Sequence, residues 1–557
     1  MMEEEPFDLF RLSELSLNLK TSIVAPTRPV FPKKQQDLSS QLHDQDPLQL
    51  LGEKSFAKPK ETAFDEIGTP IQEFFRDSHV FITGGTGFLG KLLTEKLIRS
   101  TPNVGKIYLL MRAKRGKSAQ ERFHELFQDK VFLRMKTEVP DYLSKVSFVD
   151  GDLSEPDLGL SEADRQMLSD KVNIVFHSAA DVRFLQPLRL AIESNLQGGK
   201  RVLDLAKGMK NLQSYVHVST AYSFCVQRVI KEEVPKMSIT REDVLENLKS
   251  KTDEEIEDEL ERIMQGWPNT YAFTKALCED LIRDESEGMP ICIFRPSVVG
   301  PSYREPVRGW TDNVNGPFGL LLGITLGIFH CFWTNQELIL DLVPVDYVVN
   351  GMIAAAWQTA LCRNQLLVYN CTSLSEQRVD WKTFRAFERK YKDHWPFSQA
   401  VWYDSFFLND SKFIDDICNI FLHKIPGLFL DKLAVLSGQK PRMMRIYDKI
   451  DALRPQAHYF SFAVWEFENN NLVNLRSTLN KEDKILFNFD FRDINYEEYF
   501  IVGKLGLRYY FLKDQMETMP AAKRKYMWLY WAHNSLKLLS GLVVLKLLVF
   551  TAHVLPI

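Results

Sequence analysis

The chain has 557 residues, with 69 Lys and Arg against 73 Asp and Glu, a near-balance that argues against a nucleic-acid partner. It is too long for one simple core, so two folded units plus tails are expected; the aromatic share of 12%, with 38 Phe, suits apolar grooves as well as cores. Seven scattered cysteines show no C-x-x-C pair and no metal-ligand spacing, which fits buried thiols in a reducing compartment and no bound metal.

Residues 1–75 are polar and proline-punctuated and read as a disordered leader, with some helical periodicity over Phe7–Leu19. Met1-Met2-Glu3-Glu4-Glu5 is acidic and has no apolar core behind a basic region, so a secretory or transit peptide is not expected.

The stretch from Val80 to Gly90 predicts an apolar strand, a glycine turn and the start of a helix running to Arg99. Gly84, Gly87 and Gly90 stand at G-x-x-G-x-x-G spacing. Their expected jobs are a tight turn, close backbone approach to a pyrophosphate, and close packing of helix on strand. The helix N-terminus then offers free N–H groups to phosphates. The whole turn, Thr83, Gly84, Gly85, Thr86, Gly87, Phe88, Leu89 and Gly90, is assigned to a dinucleotide.

Lys106–Met111 predicts a second buried strand. An NAD-preferring site usually carries Asp or Glu at its end. This chain has Arg112, Lys114 and Arg115 there, a cationic cluster suited to a 2′-phosphate, so NADP(H) is favoured. Val146–Leu153 predicts a third strand ending in a loop, where Asp152 is placed to accept from the adenine amine, and the next N–H, of Leu153, to donate to the ring. Val172–Ala180 predicts a fourth, whose small residues after His177, Ser178, Ala179 and Ala180, let the backbone pass beside the cofactor. Asn195 follows on a helix, where its amide can hold strand ends in register.

Tyr215–Tyr222 predicts a fifth strand, whose end carries two hydroxyls, Ser219 and Thr220. The acidic run within Arg241–Met264 reads as a solvated helical face, with a mobile lid as the alternative. Tyr271 and Lys275 are four apart, hence on one helix face. A free tyrosine titrates near about 10; a lysine one turn away is expected to lower it and to hold ribose hydroxyls. Ile291–Phe294 predicts a further strand, and the loop after it, with Pro296 and Val298, lies beside the nicotinamide.

Phe318–Trp333 is almost wholly apolar and reads either as a groove wall or membrane contact, or as a buried core helix. Ile417–Leu436 is apolar but interrupted by charges, and reads as amphipathic or groove-forming. Leu538–Leu555 carries one charge, Lys546, and follows the basic Lys523-Arg524-Lys525. Its length suits a membrane helix with the body in the cytosol. The organisation expected is a leader (1–75), a doubly wound α/β Rossmann-type domain (76–358), a smaller, mainly helical domain (359–514), and a basic linker with an anchor helix (515–557).

In this order the motifs resemble the alcohol-forming fatty acyl-CoA reductases, extended short-chain dehydrogenase/reductase enzymes with a C-terminal male-sterility-like domain. The resemblance runs from about Ser78 to about Asp514 and is nearest the insect branch. It rests on Thr83–Gly90, Gly151–Pro156, His177–Ala180, Val216–Tyr222, Asn269–Lys275, Phe294–Ser297 and Gly309–Pro317, with Lys440–Met443 and Gly506–Tyr510 in the second domain. It implies Tyr271 as general acid, Lys275 as its tuning and ribose-binding partner, and Thr220, with Ser219 as neighbour or substitute, bonding the substrate carbonyl. It further implies reduction of a fatty acyl-CoA to the primary alcohol through the aldehyde with two NADPH. A sterol or sugar-nucleotide dehydrogenase or epimerase, and a non-catalytic NADP-binding scaffold, are the competing readings. Leu555-Pro556-Ile557 is not a peroxisomal tripeptide, so the endoplasmic reticulum is favoured over the peroxisome. Chain-length preference and oligomeric state are left open.

Overall fold

The computed structural model describes residues 46–52, 68–363, 365–373 and 379–554; the expected Phe7–Leu19 helix lies outside them. Seven strands form the centre: β1 His79–Thr83, β2 Lys106–Met111, β3 Val146–Asp150, β4 Val172–His177, β5 Ser214–Val218, β6 Ile291–Pro296 and β7 Leu367–Cys371. Their spatial order is β7-β6-β5-β4-β1-β2-β3. Every pairing is parallel, so all C-terminal strand ends emerge at one edge. The order reverses between β1 and β4, and such a switch point opens a ligand crevice at that edge.

The strands are apolar on both faces, as a parallel sheet covered on both sides requires. Val80 and Ile82, with Ile107 and Leu109, face one core; Phe81, with Tyr108 and Leu110, faces the other. The helices used below are α1 Phe88–Ser100, α2 Gly198–Lys207, α3 Thr270–Glu285, α4 Gly316–Thr325 and α5 Val345–Leu361. They continue as α6 Lys412–Cys418, a wide π-turn over Asn419–Lys424, α7 Ile425–Leu436, α8 Met443–Phe462, α9 Tyr496–Gly506 and α10 Met519–Val554. The first core runs unbroken from Leu50 to Leu512. The helical C-terminal region is therefore built onto the Rossmann unit through shared core.

Two segments depart from expectation, the leader and the start of the C-terminal helix, and two others settle on one of the alternatives. Residues 46–52 and 68–75 fall inside the expected leader, yet Leu50, Leu51, Ile71 and Phe75 are buried. The Pro70–Phe75 helix is held by a reciprocal cap between Thr69 and Gln72. In Phe318–Trp333, α4 is a core helix: Phe318, Leu321, Leu322 and Ile324 are buried, and any side chain on Gly503 of α9 would overlap the Phe318 ring. The acidic run folds as three short helices whose Val244, Leu248, Ile256 and Ile263 are buried, which matches a solvated face over an apolar one. Finally, α10 starts well before Leu538, because Tyr526 and Leu529 dock on Ala400 and Tyr403. The segment Met516–Thr551, which includes that dock, contains a window of mean hydropathy 1.6 that is 0% buried, and it is long and apolar enough to cross a membrane.

Candidate active site

The glycine turn joins β1 to α1. Gly84 has φ +76°, and a Cβ there would stand 2.7 Å from the Ala179 nitrogen. Only glycine lets β1 and the end of β4 approach this closely. A Cβ on Gly90 would overlap the Gly84 carbonyl oxygen, so α1 starts tight against the turn. Gly87 caps α1 without a side-chain hydrogen bond, which leaves the first-turn N–H groups, with their partial positive charge, facing the crevice. Phe88 and Leu89 contribute backbone there; their side chains pack, Phe88 stacking on Trp310 at 5.4 Å and Leu89 lying against the core. Gly85 leaves room for Leu109.

The end of β4 is tied to the same turn. Ser178 Oγ donates to the Thr83 carbonyl at 2.9 Å, and the Ala179 N–H reaches Thr83 Oγ1 at 3.4 Å. Thr83 Oγ1 also pairs with His177 Nδ1 at 2.7 Å. Burial, reinforced by Lys275, pulls the His177 imidazole down to about 3, so it stays neutral and structural. Asn195 accepts from the Asp181 N–H at 2.7 Å and donates to Thr274 Oγ1 at 3.0 Å. It thereby clamps the loop after Ala180 to α3, a positioning role.

Past β2 the cationic side chains gather. Arg112 donates to Asp152 at 2.7 Å. Arg122, which the sequence reading did not single out, donates to the Arg112 carbonyl and reaches Thr86 Oγ1 at 3.4 Å. Burial, then Arg112, Arg122, Arg115 and Arg183, pull the Lys114 ammonium below its usual range. A group of cations that depress one another is a site that favours an anion. Burial works against the Asp152 carboxylate, but Arg112 and Ser154 hold it below its ordinary range. The Leu153 carbonyl is taken by Arg201 at 2.7 Å.

Tyr271 and Lys275 lie on the first turns of α3, which Asn269 caps through the Ala272 N–H. Lys275 is buried and donates to the Val218 carbonyl at 2.6 Å. It thus pins α3 to the end of β5, and burial pulls its ammonium below lysine's usual range. The Tyr271 phenol differs from expectation. Its enclosed setting pushes it up to about 12, while the nearby Thr220 hydroxyl pulls the other way. Lys275 points to β5 instead of lowering the phenol. A phenol held this high stays protonated at neutral pH, the form a proton donor needs.

Ser219 is not a substitute for Thr220. Its Oγ donates to Glu279, whose carboxylate pairs with Arg295 at 2.5 Å in a wholly buried ion pair. Arg295 also donates to the Lys231 and Glu233 carbonyls, both at 2.9 Å. Glu279 sits one turn past Lys275, so Tyr271, Lys275 and Glu279 share one face of α3. Pro296 closes β6 beside this loop, its carbonyl accepting from the Ala221 N–H at 2.9 Å. Val298 lies just beyond, on a short strand paired with Leu342–Pro344.

One wall of the crevice comes from α8 and the segment after it. Phe184 stacks on Tyr271 at 6.1 Å and meets Phe460 at 6.0 Å. Tyr222 takes Phe460 and Trp465 edge-on, both at 5.4 Å. No local spacing linked Phe460 to Tyr271; its place among closely spaced aromatics was the one available signal.

A glycine cradle, an anion-seeking cluster and a buried Tyr–Lys helix at one switch point define a nicotinamide-dependent reductase of the Rossmann class. Comparison with known proteins agrees and goes further. Residues 82–352 and 422–514 match two family models, each described as male sterility protein. The chain is 39% identical to fatty acyl-CoA reductase wat of Drosophila melanogaster, over 82% of this chain and 89% of that one. It is 36% identical to human fatty acyl-CoA reductase 1, over 82% and 88%. It belongs to the fatty acyl-CoA reductase family. Among solved structures, the reductase domain of a non-ribosomal peptide synthetase from Mycobacterium tuberculosis shares the fold, with TM-score 0.52, 17% identity, and 82% of this chain and 95% of that one covered. The terminal reductase domain of the myxalamid pathway does likewise, with TM-score 0.51, 19% identity, and coverage of 83% and 97%.

Proposed function

We propose that this protein reduces long-chain fatty acyl-CoA to the primary alcohol, through the aldehyde, with two NADPH. The observation that carries the reading is Thr220 close enough to the Tyr271 phenol to perturb it, with Lys275 one helical turn on and anchored to the Val218 carbonyl, across the crevice edge from the glycine turn. Gly84 to Gly90 and the N-terminus of α1 would hold the pyrophosphate, and Arg112, Lys114 and Arg122 the 2′-phosphate. When bound, NADPH supplies the hydride. Thr220 and Tyr271 orient the thioester carbonyl and offer hydrogen bonds to the oxygen as it becomes negative. Tyr271 then gives that oxygen its proton. Loss of the CoA thiol leaves an aldehyde, which the same two hydroxyls hold for the second reduction. Lys275, fixed on the Val218 carbonyl, keeps its remaining protons for the ribose hydroxyls. Phe184, Tyr222 and Phe460 give the acyl chain an apolar wall, which disfavours a sugar-nucleotide substrate. We place the cofactor unit at 76–358 together with the edge strand β7, which lies past the expected boundary, and the acyl-handling unit in the rest of 359–514, with α10 as a single-pass anchor holding a cytosolic body, at the endoplasmic reticulum before the peroxisome.

The cofactor preference has a direct test. Hydrogen bonds to a charged group contribute about 1.5–3 kcal/mol, so Lys114→Ala or Arg122→Ala should raise KM for NADPH about 10- to 100-fold and leave KM for NADH unchanged. Equal changes for the two cofactors would contradict a 2′-phosphate site here. The reaction itself is read by identifying the products from acyl-CoAs of varied length by gas chromatography. Aldehyde as sole product would show that the second reduction is missing.

A further inference from the structure

Among the described residues, the longest succession of exposed large apolar side chains outside α10 lies on the rod formed by α6, the π-turn and α7. It spans residues 412–436, about 37 Å at 1.5 Å per residue. Phe413, Phe421, Phe429 and Leu436 are 73%, 62%, 62% and 83% exposed, with Ile417 and Ile420 beside them. Patches of this extent on a folded body mark an interaction surface.

Several polar residues of the rod are turned the other way, while Asp416 stays exposed beside Arg454. Asp415 is buried and paired with Arg454. Asp431 is used as a cap, accepting from the N–H groups of Arg442, Met443 and Met444 at 2.7, 2.8 and 2.9 Å. His423 is buried, its ring stacked on Tyr447 at 5.4 Å and on His330 at 5.8 Å. Gly427 packs against Tyr447. What remains outward is apolar apart from Asp416, edged by exposed cations: Lys412, Lys432, Lys440 and Arg445.

A second observation says what covers this face. His330 pairs with Ser405 at 3.1 Å. Two and three residues before Ser405, Tyr403 and Trp402 hold the root of α10: Tyr403 packs on Tyr526 at 5.0 Å, and Trp402 Nε1 donates to His533 at 3.0 Å. The rod therefore lies beside the point where α10, unburied beyond its dock, leaves the body.

We infer that the 412–436 rod is an in-plane membrane-docking element, its apolar face sunk into the headgroup–acyl boundary of the bilayer that α10 enters. An amphipathic helix with an apolar face and a cationic edge takes this position, and its cations meet anionic headgroups. The second consequence concerns α8. One end is capped and packed by the rod; the other carries Phe460 to Phe184 and Tyr271. Its 20 residues span about 30 Å. Docking would fix the height of the acyl wall above the lipid, so that a membrane-dissolved acyl chain reaches the site without crossing water. This second consequence rests on the reductase reading; the docking itself does not.

The test uses the full-length protein in phosphatidylcholine–phosphatidylserine vesicles, with an environment-sensitive fluorophore on Phe421→Cys or Phe429→Cys. Lys210→Cys, at the far end of the sheet, is the control, and the unsubstituted protein gives the background from Cys362 and Cys418. We expect blue-shifted emission at 421 and 429, quenched by lipids spin-labelled near the headgroup and insensitive to iodide, with the control aqueous. Emission matching the control would overturn the proposal. So would quenching by labels at the acyl terminus, which marks a span, and so would iodide protection without lipid quenching, which marks a protein partner. Alkaline carbonate release of the protein would show separately that the α10 anchor reading fails. A Phe421→Glu/Phe429→Glu variant with unchanged circular dichroism should raise KM severalfold for a long-chain acyl-CoA delivered in vesicles, with kcat unchanged. An unchanged KM would overturn the delivery consequence alone.

Discussion

Tyr271→Phe should lower kcat for alcohol formation by about 10²- to 10⁴-fold, the usual weight of a positioned general acid, and leave NADPH affinity unchanged. The substitution removes one oxygen and keeps the ring, so the stack on Phe184 at 6.1 Å survives. Lys275 also keeps its place, because its anchor is the Val218 carbonyl and not the phenol. What is lost is the proton that burial holds on the phenol beside Thr220. Thermal unfolding and NADPH binding measured beside turnover separate this from a packing defect. A Tyr271→Phe variant that still forms alcohol at the wild-type rate would remove Tyr271 from the chemistry.

The second large effect is on stability. Arg295→Met should destabilise the fold by about 3–5 kcal/mol, the cost of leaving one partner of a buried ion pair alone. Both side chains of the Arg295–Glu279 pair are fully buried. The loss would strand Glu279 and remove the donor from the Lys231 and Glu233 carbonyls. Ser219, which donates to Glu279, would then loosen and Thr220 with it. The double variant Arg295→Met/Glu279→Leu should recover part of the loss, because no charge is left unpaired. Denaturant titration of the three proteins decides it; a single variant as stable as wild type would show that the pair is not what holds the loop after β5.

The contrast between these two sites shows what a linear reading can reach. Gly84, Gly90, Tyr271 and Lys275 were legible because their chemistry depends on near neighbours: a turn, a helix start, one helical turn. Six apolar runs in α/β alternation likewise announced a parallel sheet; the seventh strand, β7, was not legible because it lies in a stretch that reads as helical and pairs with β6 across α5. Arg122, Glu279 and Phe460 were not legible, since each matters through a partner far off in the chain: Thr86, Ser219 and Phe184. The expected pull of Lys275 on Tyr271 followed from spacing alone, but the direction of a lysine's ammonium depends on which carbonyl lies within reach, and here it is Val218. The apolar run at 417–436 was visible; the inward turn of Asp415 and Asp431 was not, because it needs Arg454 and the start of α8. Likewise, Tyr526 extends α10 towards the body through Tyr403, a contact no hydropathy window contains.

The measurement that bears most directly on the whole account is a stoichiometric one. Detergent-solubilised protein is given a long-chain acyl-CoA and NADPH, and the NADPH oxidised and the alcohol formed are counted in the same reaction. The account predicts two NADPH per primary alcohol, with free CoA released once. Tight NADPH binding with no turnover of any acyl-CoA, whatever its length, would contradict it.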